Sequence, residues 1–190
     1  MRNIDTAIII VNWNGKRFLK DCLDSLFNQT YKKFKVILVD NDSKDGSQKF
    51  VEKNYPKVQL IKLDYNFGFS RGNNIGIMEA FKDESIKYIV CLNNDTKVDK
   101  NWLKELIKIV DLNPRIGICQ SKILYYNNPK IINSVGILTS KDMTTVNRGI
   151  GEPDHGQYEE IEEIFGDCAA SVLYTRKMLE DINVNNEFCH

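Results

Sequence analysis

Asn93, Asn94, Asp95 and Thr96 follow directly on the apolar run Tyr88–Leu92. Short oxygen-bearing side chains at the end of a hydrophobic segment can ligate a hard cation or hydrogen-bond a sugar. Three other apolar runs end in the same way: Asn12-Trp13-Asn14-Gly15 follows Thr6–Val11, Asp40-Asn41-Asp42-Ser43 closes the run from Phe34, and Asp64 to Asn74 includes Asn66, Arg71 and Asn74. Carboxylates at Asp40 and Asp42 can accept hydrogen bonds from a base imide and a ribose hydroxyl, which makes a nucleotide the natural occupant. Helix capping competes for Asp42, Ser43 and Asp45, since these residue types suit the turn before a helix. A solvated charge at a helix start competes in the same way for Arg71.

The phosphates of such a ligand would need unusual handling. No GxGxxG or GxxxxGK[ST] loop follows the first apolar run; its successor has the single Gly15, and Trp13 would crowd a pyrophosphate. A diphosphate must then be neutralised by a divalent cation at Asp95 and by the Arg71 guanidinium. An oxygen-only donor set selects Mg²⁺ or Mn²⁺, and the lack of a His/Cys cluster argues against zinc.

These polar clusters are useful only if one sheet edge gathers them. Apolar runs at Thr6–Val11, Phe34–Asp40, Val58–Asp64 and Tyr88–Asn93 read as strands. Between and after them, stretches with helical spacing begin at Lys16, Ser47, Gly72 and Asn101. Alternation of this kind predicts an α/β fold, a Rossmann-like, mostly parallel sheet flanked by helices. Ligands of such sheets bind beyond the carboxyl ends of the strands, where all four polar clusters fall. After Pro114 the runs shorten, which predicts a smaller mixed or antiparallel C-terminal part. The polar stretch 151–163, with His155, reads as a mobile loop whose histidine is solvated, and residues 165–182 read as a strand entering a short helix.

The chain has 190 residues, enough for one domain with a sizeable core. Its 26 basic and 26 acidic side chains cancel, so net charge offers no case for nucleic acid. Cys22, Cys91, Cys119, Cys168 and Cys189 show no CxxC spacing and read as reduced thiols. No apolar segment is long enough to span a membrane, and a cytoplasmic location is expected.

The segments "IIIVNWNGKRFLKDCLDSLFNQTYKKFKVILVDNDSKDGS", "NFGFSRGNNIGI" and "YIVCLNNDTKVDKNWL" together resemble the inverting family 2 glycosyltransferases of GT-A fold. "NWNG", "NND" and "RGIGEPDHGQY" are most similar to the rhamnosyltransferase-like branch that builds bacterial surface polysaccharides. The resemblance implies one GT-A domain over residues 1–190, with a nucleotide-binding half (1–113) and an acceptor-side half (114–190) that is truncated. It implies a sugar transfer with inversion, from a UDP- or dTDP-linked donor such as dTDP-rhamnose to a saccharide or lipid-linked acceptor. Val11, Asn12, Trp13 and Asn14 would border the base, Asp40 would contact it, Asp42 the ribose, and Arg71 the nucleotide or diphosphate. Asn66, Asn74, Asn93 and Asn94 complete the expected nucleotide site. "NND" stands at the family's Asp-x-Asp motif, with Asp95 as metal ligand and Asn93 at the first Asp position. The amide there carries one negative charge fewer, which predicts weaker Mg²⁺ or Mn²⁺ binding.

In this family the general base belongs to an acidic pair beyond the segment matched here by Gly166–Arg176 and Asn185–His190. The base is therefore expected beyond His190. Asp167 is the candidate for an acceptor-site carboxylate, with a role-free loop residue as its alternative; Glu187 and His190 are assigned no role. Attachment to the inner face of the cell membrane is expected through a missing C-terminal region. Two other functions compete. A sugar nucleotidyltransferase would need a Gly-rich basic loop where "NWNGKRFLK" has one glycine, and a non-catalytic nucleotide-sugar binding fragment would lack the base.

Overall fold

The computed structural model describes residues 4–183 and 188. The first apolar run forms β1 (Thr6–Asn12), followed by α1 (Lys16–Phe27), β2 (Phe34–Asp40), α2 (Ser47–Asn54), β3 (Gln59–Lys62), α3 (Phe69–Phe81), β4 (Tyr88–Leu92) and α4 (Trp102–Leu112). The rest comprises β5 (Ile118–Gln120), β6 (Ile123–Tyr125), β7 (Asn128–Ser134), β8 (Ile137–Thr139), β9 (Thr145–Asn147), β10 (Ser171–Thr175) and α5 (Arg176–Ile182). Six strands form the main sheet in the order β3-β2-β1-β4-β10-β5, with β10 antiparallel to both neighbours. Two small antiparallel sheets, β6-β7 and β8-β9, lie within the C-terminal part. The expected α/β class and mixed C-terminal part are observed, and the later half completes the main sheet with β5 and β10.

Side-chain alternation explains how the sheet is covered on both faces. Ile8, Ile10, Val36 and Leu38 point into a core with Leu19, Leu23, Leu103 and Ile107 of α1 and α4. Ala7, Ile9, Ile37 and Val39 point to the other face, where Ile77 and Ala80 of α3 and Leu179 of α5 cover them. Covered on both sides, the inner strands are apolar through their centres, Ala7–Val11 of β1 and Val36–Val39 of β2, which explains the continuous Ile/Val runs. Arg176 locks the second face by donating to the carbonyls of Phe81 (3.2 Å), Asp83 (3.0 Å) and Ile86 (3.3 Å), just past the end of α3.

Three details differ from the expected elements. Helix α3 begins at Phe69 rather than Gly72, which puts Arg71 in its first turn. Strand β3 keeps only Gln59–Lys62 because it is the sheet edge and has a single strand partner. Residues 151–163 have no helix or named strand, but ion pairs fasten the region: Lys122 with Asp154 and Glu159, and Arg148 with Glu162.

Candidate functional site

Successive strands lie on either side of β1, so the chain reverses direction across the sheet between β1 and β4. Open α/β sheets bind ligands at such a switch point. Register sets Asn12 beside Asp40, the last pair of the β1–β2 ladder. Asn12 is fully buried; its Nδ2 donates to Asp40 Oδ2 (2.9 Å) and Ser43 Oγ (3.1 Å), while its Oδ1 accepts from Asn94 Nδ2 (2.7 Å). One amide thus ties together the tips of β1, β2 and β4. Gly15 leaves room for this, because a Cβ there would lie 2.1 Å from Asn94 Nδ2 and 2.6 Å from Asn12 Oδ1.

Asp40, expected to contact the base, lies directly beneath the strand tips. It is fully buried, and its second oxygen accepts from Ser43 N (2.9 Å) and Gln48 Nε2 (2.8 Å). With both oxygens engaged, it braces the tips from beneath. Asp42 turns out of this network at φ 63° and pairs with Lys44. Asn14, at φ 51°, joins the two loops: its N donates to Ser43 Oγ (2.9 Å) and its Oδ1 accepts from Lys44 N (2.8 Å). Trp13 beside it is 58% exposed. Gly46 is the N-cap of α2 and supplies no side-chain cap; just ahead of it, Asp45 Oδ1 accepts from Ser47 N (3.0 Å) and its Oδ2 accepts from Lys16 N (2.8 Å). Burial opposes ionisation of Asp45, but hydrogen bonds from Ser47 and Lys16 more than offset it and hold its carboxyl below the usual range.

Helix α3 reaches these tips through close packing. A Cβ at Gly72 would meet Val11 Cγ1 at 2.8 Å, and one at Gly76 would meet Ile9 Cγ2 at 2.3 Å. The half-buried Val11 thus packs under the first turn of α3, and Asn41 Nδ2 donates to Gly68 O (3.0 Å) just ahead of it. Asn66 Oδ1 accepts from Gly68 N (2.9 Å) and shapes the turn. Arg71 is exposed and stacks over the Phe67 ring at 4.4 Å. Asn74, expected at the nucleotide, is buried on α3, and its Oδ1 accepts from Phe188 N (3.0 Å).

At the β4 tip, Asn93 N donates to Ala170 O (2.9 Å), and Asn93 O accepts from Thr96 Oγ1 (2.7 Å) and Cys22 Sγ (3.8 Å). Burial pushes the Cys22 thiol up to about 12, keeping it neutral beneath the turn. Asp95 is exposed. Two buried oxygens at the tips have no hydrogen-bond partner, Asn41 Oδ1 and Asn93 Oδ1. Among the described residues no group of three His, Cys, Asp or Glu side chains could hold a metal by itself. Asp95 and the partnerless Asn93 oxygen still fit a hard cation whose remaining ligands come from a phosphate and water.

Asp167 lies in the segment leading into β10, three residues before the Ala170 carbonyl that meets Asn93 N, and its Oδ1 accepts from Ala169 N (2.7 Å). His155 is exposed, and only its backbone N is engaged, to Gln157 Oε1 (2.7 Å). Glu187, Cys189 and His190 lie outside the described residues. No helix among the described residues is long and apolar enough to cross a membrane. Sequence reasoning placed Gly15, Asn41, Ser43 and Gly72 inside the strand-tip stretches without assigning them a role, and missed Gln48. The signals present were the four-residue Gly72/Gly76 spacing and Asn41's place inside "DNDS".

Comparison with known proteins follows the same geometry. The family described as "Glycosyl transferase family 2" matches residues 7–182. The "Low-salt glycan biosynthesis hexosyltransferase Agl10" of Haloferax volcanii is 24% identical over 192 residues, covering 96% of this chain and 56% of that protein. Structure 1-349 of S. aureus TarS superposes with a TM-score of 0.65 at 19% identity, over 94% of this chain and 49% of that one. Mannosyltransferase PcManGT from Pyrobaculum calidifontis, solved with GDP-Man and Mn2+, gives 0.64 at 18% identity, over 94% and 46%. At these identities the solved structures establish the fold. The chain spans about half the length of these relatives.

Proposed function

Because the chain belongs to glycosyl transferase family 2, we propose that it binds a nucleotide-sugar donor at the β1/β4 switch point and transfers the sugar with inversion. The observation that carries this is the pair of buried, partnerless amide oxygens, Asn41 Oδ1 on the β2 side and Asn93 Oδ1 at the β4 tip. A buried acceptor without a donor costs about 1–3 kcal/mol, so both positions favour a ligand that supplies what is missing. A base imide N–H suits Asn41, with Asp40 as its support through Asn12, Ser43 and Gln48. Trp13 provides an exposed face for the base, Asp42 a carboxylate for ribose hydroxyls, and Arg71 a cation for the diphosphate.

Asp95 and Asn93 would hold Mg²⁺ or Mn²⁺, which supplies neutralisation of the leaving diphosphate. The acceptor hydroxyl attacks the anomeric carbon and loses its proton to a carboxylate base, while the carbon–oxygen bond to the diphosphate breaks and the diphosphate keeps the electron pair. Asp167 retains one carboxylate oxygen for an acceptor hydroxyl, and none of the described carboxylates is assigned the part of the base. The relatives' names support sugar transfer: a hexosyltransferase of glycan biosynthesis, and TarS, solved in complex with UDP-GlcNAc. A UDP- or dTDP-linked donor (dTDP-rhamnose by branch), a saccharide or lipid-linked acceptor, and work on surface polysaccharide at the cytoplasmic membrane face complete the proposal.

The test is calorimetric titration with UDP, dTDP, GDP and ADP, in Mn²⁺ and in EDTA. UDP or dTDP should bind, more weakly in EDTA; Asn41→Ala should lose about tenfold in affinity, near 1.4 kcal/mol. Asp95→Asn should abolish the metal effect. Binding of none of the four, or an unchanged Asn41→Ala, overturns the assignment.

A further inference from the structure

Away from the strand tips, a groove of about 780 Å³ runs beside β5, between α4 and the segment from Tyr158 to Asp167. Three properties meet in it. First, β5 is the outer strand of the main sheet, hydrogen-bonded only to β10 among the described residues, so one row of its backbone donors and acceptors faces the groove side. Second, the walls are apolar, with Ile109 of α4, Ile116 before β5, and Ile118, which is 46% exposed. Third, the lining residues include six carboxylates against three cations. Two of those cations are already taken, Lys122 by Asp154 and Glu159, and Arg148 by Glu162. Glu160, Glu163 and Asp167 therefore face the groove with only Arg115 to balance them.

Proteins usually blunt an exposed sheet edge with a charge pattern, a bulge or a covering segment, because an open edge templates strand pairing. Here the edge lies at the floor of an apolar trench with an acidic rim. We propose that the groove is a docking site for an extended basic peptide of a partner protein, which adds as a strand to β5 with apolar and Lys/Arg side chains alternating. Backbone hydrogen bonds to β5 give affinity, as in strand-addition complexes generally, and alternation gives selectivity. Apolar side chains on one face pack on Ile109 and Ile116, and basic side chains on the other meet Glu160 and Glu163. A nucleic acid or an anionic lipid surface is disfavoured by the same carboxylates. Because β5 runs parallel to β4, the trench ends near the catalytic edge, at Gln120 and Asp167. An occupant would thus be held beside the acceptor side of the domain.

The probe is an amidated nine-residue peptide alternating Lys and Val, fluorescently labelled and followed by anisotropy on the whole chain. Saturable one-to-one binding is expected, weakened at least tenfold by the double change Glu160→Lys/Glu163→Lys. Two N-methylated forms of the peptide separate pairing from charge adhesion. Methyl groups on alternate amides in one phase should abolish binding, and in the other phase should leave it within twofold, because only one row of peptide amides can face β5. Equal effects in both phases would mean non-directional attraction and overturn the proposal. Absence of saturable binding, or self-association of the chain by light scattering that excludes the peptide, would overturn it too. Circular dichroism of the double variant checks that it folds; Ile118→Asp, which places a charge on the edge strand itself, is the second variant and should also lose at least tenfold.

Discussion

Replacing Asn12 by Ala tests whether one buried amide really organises three strand tips. The change removes donors to Asp40 Oδ2 and Ser43 Oγ and the acceptor of Asn94 Nδ2. Three hydrogen bonds are worth about 1 kcal/mol each, and a buried carboxylate deprived of one donor adds about 1 more, giving a loss near 4 kcal/mol. For a chain of this size each kcal/mol lowers Tm by about 2–4 °C, so the variant should melt about 8–16 °C earlier. Urea unfolding should show the same loss at unchanged m-value. A cycle with Asn94→Ala should return a coupling of about 0.5–3 kcal/mol, because the two side chains share a bond. Asn12→Asp sharpens the test, since it sets a second carboxyl against buried Asp40, and the two cannot both ionise. The pair's folded pKa is raised, so the variant keeps its stability below about pH 4 and loses it as pH rises through the raised value. If Asn12→Ala stays within about 0.5 kcal/mol of the parent, the network is incidental and the reasoning fails.

Gly76→Ala should destabilise by about 1–3 kcal/mol despite alanine's better helix propensity, because the new methyl would lie 2.3 Å from Ile9 Cγ2; thermal melting decides. Cys22 should resist alkylation in the native protein at pH 8 and react once unfolded, read by mass spectrometry of the tryptic peptides. Its folded pKa is raised to about 12. It therefore contributes stability that is whole below the unfolded pKa of about 8.5 and declines as pH climbs towards the folded value. Asp45→Ala should cost about 1 kcal/mol at neutral pH through loss of the hydrogen bonds it accepts from Lys16 N and Ser47 N at the starts of α1 and α2. Because the Asp45 pKa is depressed, that difference should shrink as pH falls from about 4 downward, which acid titrations of both proteins by circular dichroism would show.

Much of the fold was legible because apolar periodicity and burial are linked directly. Strand β2 spans Phe34–Asp40 as its run of Val, Ile and Leu predicts, since a strand covered on both faces favours a continuous apolar centre, here Val36–Val39. The gathering of Asn12, Asp42, Asn93 and Asp95 at one edge was legible too, from alternation alone. Individual roles were not. Asp40 and Asp42 are two residues apart with the same carboxylate, yet one is a buried brace and the other a half-exposed turn residue at φ 63°. Asn74, grouped with the cluster by its place in the sequence, is engaged by Phe188 N, 114 residues along the chain.

The sequence by itself determined the sheet order's raw material: four apolar runs with helices between them, a polar cluster at each end, and a family likeness that a match over residues 7–182 bears out. Tertiary structure alone decided which of the clustered oxygens have partners. Hydrogen-bond satisfaction depends on neighbours that are 28 and 82 residues distant along the chain, as Asp40 and Asn94 are from Asn12. Such neighbours meet only when strand register and the close approach of α3 bring them within 3 Å, and no local pattern encodes that distance.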